Sequence, residues 1–291
     1  MPHNPGRWLV ETDWLADHLS SPDIVVLDGS LTYEPGRSAR ESFEDAHIPG
    51  ALFFDIGTIA DTNNPLPNTL ADPVKFSSMM RKMGVGDGTK VIVYDAQGLF
   101  SAARVWWNFR AMGHDDVAVL NGGLKKWRAE GRALEDGPAA VRTPKHFTAR
   151  RQAALICDAD DVAAALAAGT ATVIDARSAG RFAGAVPEDR AGLRAGHIPG
   201  SVNLHYGALT NDDGTLKPAD ELRALFAERG VTVPQSSSPG QRRPVITTCG
   251  SGVTACAVVL ALALAGDPTG AVYDGSWTEW GADHARPIAT G

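Results

Sequence analysis

The chain is poor in cysteine: three in 291 residues, an odd number without the paired spacing of a zinc site. A disulfide framework is therefore excluded, no metal or cofactor is expected, and a reducing cytoplasm is the expected location. Long hydrophobic runs are missing too. The longest, Ala255 to Gly266, is too short to span a bilayer and reads as a buried helix. The opening residues MPHNPGRWLVETDW hold neither a cationic nor an apolar leader segment, so no secretory signal is expected. Positive charge is in deficit, with 27 basic against 34 acidic residues and a net charge of −7. That balance gives no general attraction to nucleic acid or to an anionic membrane. The remaining composition, 44% hydrophobic and 21% charged, is that of a soluble globular protein. Its length fits about two domains.

What the chain does have is repetition. Ala46-His47-Ile48-Pro49-Gly50-Ala51 returns as Gly196-His197-Ile198-Pro199-Gly200-Ser201, 150 positions later. Val25-Val26-Leu27-Asp28 resembles Val173-Ile174-Asp175, and Val91 to Gly98 matches Val245 to Gly252 at an offset of 154. Leu120-Asn121-Gly122-Gly123 with Trp127 matches Tyr273-Asp274-Gly275-Ser276 with Trp280. Four matches in one order mean a duplicated domain. In the first copy, helices are predicted at 12–19, 73–83 and 101–112, and strands at 24–27, 91–94 and 117–120. The second copy repeats the succession, with helices at 158–168, 219–229 and 254–265 and strands at 173–175, 245–248 and 272–273. Short apolar strands alternating with helices predict an α/β fold, each domain a parallel sheet flanked by helices on both faces. The expected domains are 1–137 and 153–291. The stretch 138–152, with Pro138, Pro144 and no periodicity, reads as the linker.

Cys249 stands where the strand 245–248 turns into the helix 254–265. A cysteine at such a turn is expected to be exposed, near backbone N–H groups and the positive end of a helix, conditions that favour the reactive thiolate. A merely packed cysteine, the plainer alternative, does not need Gly250 and Gly252 beside it, which let the backbone curl and present amides inward. A cysteine phosphatase would place an arginine six residues on, where Ala255 stands, and no Lys or Arg occurs from Gly250 to Leu264. The loop suits a reaction in which the cysteine itself carries the transferred group. Asp95 occupies the position of Cys249 in the first copy, which is therefore expected to be inactive. Cys256 is expected to be a packing residue, and nothing assigns chemistry to Cys157. His47 and His197, present in both copies, read as scaffold residues that fix the turn by bonding to backbone. Trp280 is expected in the core, and Trp277 either in the core or on the pocket wall.

Tandem domains with a His-Ile-Pro-Gly turn in each and one reactive cysteine in the second resemble the rhodanese superfamily. The loop Cys249-Gly250-Ser251-Gly252-Val253-Thr254 looks like that of its mercaptopyruvate-specific members. Thiosulfate-specific members carry two cationic residues after the cysteine, where this chain has Gly250 and Ser251. The resemblance extends to Gly98-Leu99-Phe100-Ser101-Ala102 and to Asp274-Gly275-Ser276-Trp277-Thr278-Glu279-Trp280. It implies Cys249 as the nucleophile that accepts sulfane sulfur as a persulfide. Arg181 and Arg190 match the arginines that hold the carboxylate and ketone of the substrate, and Ser251 a serine that polarises or protonates it. Gly250, Gly252, Val253 and Thr254 complete the binding loop. A relay through a first-domain histidine and an acid is also implied: His47 fits the histidine, and Ser38 stands where the acid aligns, with Glu41, Glu44 and Asp45 nearby. The expected donor is 3-mercaptopyruvate, and the expected acceptors are a thiol, cyanide or a thioredoxin-like protein. The expected protein works as a monomer. A thiosulfate:cyanide sulfurtransferase and a protein persulfide relay are the alternatives.

Overall fold

The computed structural model describes residues 7–31, 36–233 and 243–291. The first six residues, on which the leader expectation partly rests, lie outside that set. The chain divides into two units. One comprises the chain up to Asn63, Leu70–Gln152 and Thr210–Leu216; the other comprises Asn64–Thr69, Ala153–Leu209 and Lys217–Gly291. Each thus includes one short segment from the sequence span of the other.

The first unit holds β1 (Leu9–Val10), β2 (Ile24–Asp28), β3 (Leu52–Phe53), β4 (Lys90–Tyr94) and β5 (Val117–Leu120). They form one sheet in the order β1-β5-β4-β2-β3, every pairing parallel. The second unit holds β6 (Ile156–Cys157), β7 (Thr172–Asp175), β8 (Val202–Asn203), β9 (Val245–Thr248) and β10 (Ala271–Tyr273), in the corresponding order β6-β10-β9-β7-β8, again all parallel. Identical topology confirms the duplication. Strand residues alternate between faces. In the first unit Ile24, Val26, Ile92, Tyr94, Ala118 and Leu120 cluster with Leu15, Phe43, Leu124 and Trp127 from helices. The alternate set, Val25, Leu27, Val91, Val93, Val117 and Val119, is equally buried. Both faces are therefore covered, which is why these strands read as unbroken apolar runs.

Every long element expected from the sequence is present, with ends shifted by a residue or two. Helix starts follow local chemistry. Asp72 accepts from the N–H groups of Val74 and Lys75 with Pro73 in the first turn of Pro73–Lys82, and Asp158 forms a capping box with Asp161 on Ala159–Ala168. Each cap contributes about 1 kcal/mol. The helix Ala255–Ala265 is buried on every side, as its apolar sequence predicts. Among the described residues no helix is long and apolar enough to cross a membrane.

The segment expected as a linker is not a free connection. Asp87 N–H donates to His146 O, and the Asp87 carboxylate accepts from the amide and hydroxyl of Thr148. Arg150 and Gln152 amides bond to Met112 and Ala111 carbonyls, and Phe147 is buried against Phe76 and Phe109. A stretch without periodicity is thus docked on the first unit as a strap, held by backbone hydrogen bonds and one aromatic anchor.

Candidate active site

In the second sheet Asp175 pairs with Thr248, so β7 and β9 end side by side and the chain leaves β9 directly into Cys249. Gly252 turns the loop with φ 76°, a left-handed conformation that suits glycine. Cys249 is only 2% exposed, which corrects the expectation of an exposed thiol. The cause is the helix Ser276–Trp280, whose first turn closes on the loop. Trp277 N–H donates to Cys249 O at 2.9 Å, and the amide and hydroxyl of Thr278 donate to Gly250 O at 2.9 and 2.6 Å. Cys249 N–H donates to Ser276 Oγ at 3.2 Å, and that hydroxyl donates to Tyr273 O. Ser276 holds φ 51° to do so, where the first copy has Gly123 at 54°. Val253 and Thr254 carbonyls accept from Cys256 and Ala257, beginning the helix, and the Val253 side chain is buried.

Arg181 and Arg190 both reach this loop. A Cβ added to Gly250 would lie 3.3 Å from Arg181 Nη2 and 4.0 Å from Arg190 Nη1, so a larger residue there would crowd both guanidinium groups. Arg181 is already engaged: its Nε and Nη2 bond to Glu188 Oε2 and its Nη1 to Asp189 at 2.9 Å. Burial works against the Arg181 charge, but Glu188, Asp189 and the Cys249 sulfur more than offset it, so its pKa lies above the ordinary guanidinium value. Arg190 is exposed and donates to Thr278 Oγ1 at 3.5 Å. Glu188 also takes Arg177 Nη1 at 2.7 Å on its other oxygen, with both side chains 1% exposed. Arg177 is bound to both oxygens of Asp175, donates to Gly196 O, and lies 4.3 Å over the Trp277 ring. Trp277 is therefore a core residue, its Nε1 donating to Arg194 O.

Residues of this network that escaped the sequence reading are Arg177, Glu188, Ser276 and Thr278. A signal existed for Glu188. Phe43 and His47 are four residues apart and stack together, whereas the equivalent stacked pair Phe182 and His197 is fifteen apart. The extra chain of the second copy carries Glu188, Asp189 and Arg190.

His47 is given the turn-fixing role. Its Nδ1 pairs with Phe43 O at 2.8 Å, its ring stacks on Phe43, and its backbone bridges to Glu135, as His197 does with Phe182 and Ala289. Ser38 and Glu41 are committed to a capping box that starts the helix Ala39–Asp45, and Asp45 pairs with Arg37. The acid nearest the His47 ring is Glu135, whose Oε2 lies 3.9 Å from Nε2. The Ser251 hydroxyl meets Asn68, whose Nδ2 donates to Ser251 Oγ at 3.2 Å. Asn68 belongs to the second unit by its contacts, although it precedes that domain by many residues in sequence.

The first copy shows what the loop does with an anion. Asp95 Oδ1 accepts from the amides of Gln97 and Gly98, and Oδ2 from those of Ser101 and Ala102, all at 2.6–2.9 Å. Its strand-end aspartate, Asp28, has Ser30 and Leu124 where the second copy has Arg177 and Trp277, and a cavity lined by Asp28, Ser30, Phe43, Leu124 and Arg128 opens there. Burial without a cation raises the Asp28 pKa to about 6. The folded value lies above the unfolded one, so the stability held by the protonated group is full below about pH 4 and is lost as pH rises through 6. Asp28→Asn is expected to stabilise the protein at pH 8 by on the order of 3 kcal/mol at most, with the gain vanishing near pH 4. Urea unfolding at both pH values checks this; equal effects at the two would refute it.

The other thiols are unsuited to the chemistry. Burial, helped by Asp161 and Asp158, pushes Cys157 up to about 11. Cys256 is fully buried and donates to Gly252 O, the packing role expected of it. Among the described residues no group of three His, Cys, Asp or Glu side chains is arranged to hold a metal ion.

The sequence matches the rhodanese-like domain twice, over residues 11–130 and 158–283. The chain belongs to the rhodanese family. It is 42% identical to the 3-mercaptopyruvate sulfurtransferase of Escherichia coli K12, over 97% of either chain. It is 41% identical to the thiosulfate sulfurtransferase of Rattus norvegicus, over 94% of this chain and 92% of that one. A crystal structure of an Escherichia coli mercaptopyruvate enzyme superposes with a TM-score of 0.81 at 41% identity, covering 93% of this chain and 98% of that one. Relatives of both donor specificities are thus equally similar overall, and the choice between donors falls to the site.

Proposed function

We propose that the protein is a 3-mercaptopyruvate sulfurtransferase, working as a cytoplasmic monomer, with Cys249 carrying the sulfur as a persulfide. Supporting this is the convergence of Arg181 and Arg190 on Gly250, beside a loop that has no cation of its own. A planar carboxylate on a small ketoacid fits a guanidinium pair, whereas a loop reading Gly250-Ser251 offers a doubly charged thiosulfate little. Because Arg181 is held by Glu188 and Asp189, the exposed Arg190 is the principal carboxylate ligand and Arg181 orients the ketone end.

The Cys249 thiolate attacks the substrate sulfur and forms the S–S bond. The C–S bond breaks, its electron pair passing to the pyruvate enolate, whose oxygen is stabilised by Arg181 and the Ser251 hydroxyl. The proton of the sulfur reaches the enolate carbon, giving pyruvate and the Cys249 persulfide anion. The amides of Ser251, Gly252 and Ala255, which match those of Gln97, Gly98 and Ser101 around Asp95, cradle that anion. A thiol, cyanide or a thioredoxin-like cysteine then attacks the outer sulfur and regenerates the thiolate.

The test is kcat/KM for 3-mercaptopyruvate and for thiosulfate, with cyanide as acceptor. Preference for mercaptopyruvate is expected, and Arg190→Ala should lower that value on the order of 100-fold while changing the thiosulfate value far less. A thiosulfate preference would establish the rival donor. Indifference to Arg190 together with slow turnover of both donors would favour a protein persulfide relay.

A further inference from the structure

The segment Asn64–Thr69 joins the second unit and brings one amide side chain to the loop: Asn68, which donates to Ser251 Oγ at 3.2 Å. Asn68 adopts φ 63°, one of two positive-φ residues other than glycine. That left-handed conformation costs most side chains energy, while Asn, Asp and His tolerate it best. A left-handed backbone that asparagine accepts more readily than most residues thus carries the amide to a buried loop hydroxyl.

The direction of the bond matters. A hydroxyl has one proton to give and lone pairs to accept with. Because Asn68 donates, Ser251 Oγ is the acceptor in this pair and its own proton is left to point elsewhere. We infer that Asn68 is a positioning residue for sulfur transfer: its amide fixes Ser251 as a hydrogen-bond donor toward the substrate oxygen that becomes the enolate. This rests on the mercaptopyruvate reading above. No proton leaves Ser251; the hydroxyl stabilises the oxyanion by hydrogen bonding alone. The pair contains no ionisable group, so Ser251 keeps this polarity at every working pH. A histidine or carboxylate partner could not ensure that, since each accepts a hydrogen bond in one protonation state.

Asn68→Asp is the decisive variant, because it keeps size and backbone tolerance while reversing polarity. The ionised carboxylate accepts from Ser251 and draws its proton away from the substrate. At pH 8, kcat with 3-mercaptopyruvate is expected to fall on the order of 10–100-fold, with KM little changed. As the pH is lowered through the ordinary carboxylate range, near about 4, the carboxyl regains a proton and can donate again, so the ratio of variant to wild-type kcat should rise. The other charges at the loop, Cys249, Arg181 and Arg190, are common to both proteins and cancel in that ratio. Asn68→Gly, which keeps the left-handed backbone, should lose activity without this pH dependence, and should lose nothing further when combined with Ser251→Ala. Wild-type kcat for Asn68→Asp at pH 8, a variant-to-wild-type ratio independent of pH, or additive losses in the double variant would each overturn the inference. Retained turnover in Cys249→Ser would instead mean that the functional reading is wrong, so the two failures are distinguishable.

Discussion

Cys249→Ser is expected to reduce sulfur transfer from 3-mercaptopyruvate on the order of 10⁴-fold or more, to background. The argument is one of nucleophilicity. A thiolate forms near neutral pH and attacks sulfur readily, whereas a serine hydroxyl needs a strong base to become an alkoxide. No such base lies among the described partners of the loop: position 249 is met by Ser276 and Trp277, and the adjacent Gly250 by the cations Arg181 and Arg190. Binding should survive, because the arginines and the loop backbone are untouched. Mass spectrometry after exposure to the donor without an acceptor gives a second readout. The wild type should gain one sulfur atom on the tryptic peptide containing Cys249, and the variant none. Turnover retained by Cys249→Ser, or sulfur found on Cys157 or Cys256, would defeat the mechanism.

The difference between the two copies supports the proposal of a single working site, in the second. Both end a strand in an acidic residue, and both follow the adjacent strand with a glycine-bearing loop. In the first copy the loop amides are saturated by Asp95, a fixed internal anion. In the second the same place is held by Cys249, which on the proposed mechanism becomes anionic at its outer sulfur only while charged with persulfide. On that mechanism the loop is the same anion-binding device, closed permanently in one copy and filled transiently in the other.

The sequence carried the duplication, both sheets and the turn that presents Cys249, because each leaves a local pattern: apolar runs in β2, β4, β7 and β9, and glycines around Cys249. The two-residue strands β1, β3, β6 and β8 were not legible, since an edge strand of two residues has no periodicity to detect. Arg181 and Arg190 were visible only through family resemblance, and their restraint by Glu188 was not. The buried ion pairs join Arg177 and Arg181 to a glutamate eleven and seven positions further on, a spacing within a loop that announces no charge pairing. The turn-fixing part of His47 was legible from its repetition in both copies, and its ring stacks on Phe43 accordingly. Asn68 was overlooked because nothing in its own span, Asn64-Pro65-Leu66-Pro67-Asn68, ties it to a serine 183 positions away.

Glu188→Ala is expected to be the most destabilising single change at the site. Its carboxylate is 1% exposed and neutralises two guanidinium groups, Arg177 through Oε1 and Arg181 through Oε2. Removing it leaves Arg177, itself buried, with a single carboxylate partner in Asp175, and a buried charge stripped of a partner costs about 3 kcal/mol. Replacement of the ion pairs by a well-packed apolar set would be far cheaper, so the cost measures the broken network rather than the net worth of the pairs. Function should suffer separately. Arg181 would keep only Asp189, which is exposed and screened by solvent, and its guanidinium would lose the orientation that faces Gly250. Glu188→Gln discriminates the two effects, because it retains one acceptor and the side-chain volume while removing the charge. A lower melting temperature in both variants, with KM for 3-mercaptopyruvate raised more in Glu188→Ala than in Glu188→Gln, is the expected pattern. Unchanged melting in Glu188→Ala would show that Asp175 alone satisfies Arg177, and unchanged KM would show that Arg181 needs no buried carboxylate to hold its place.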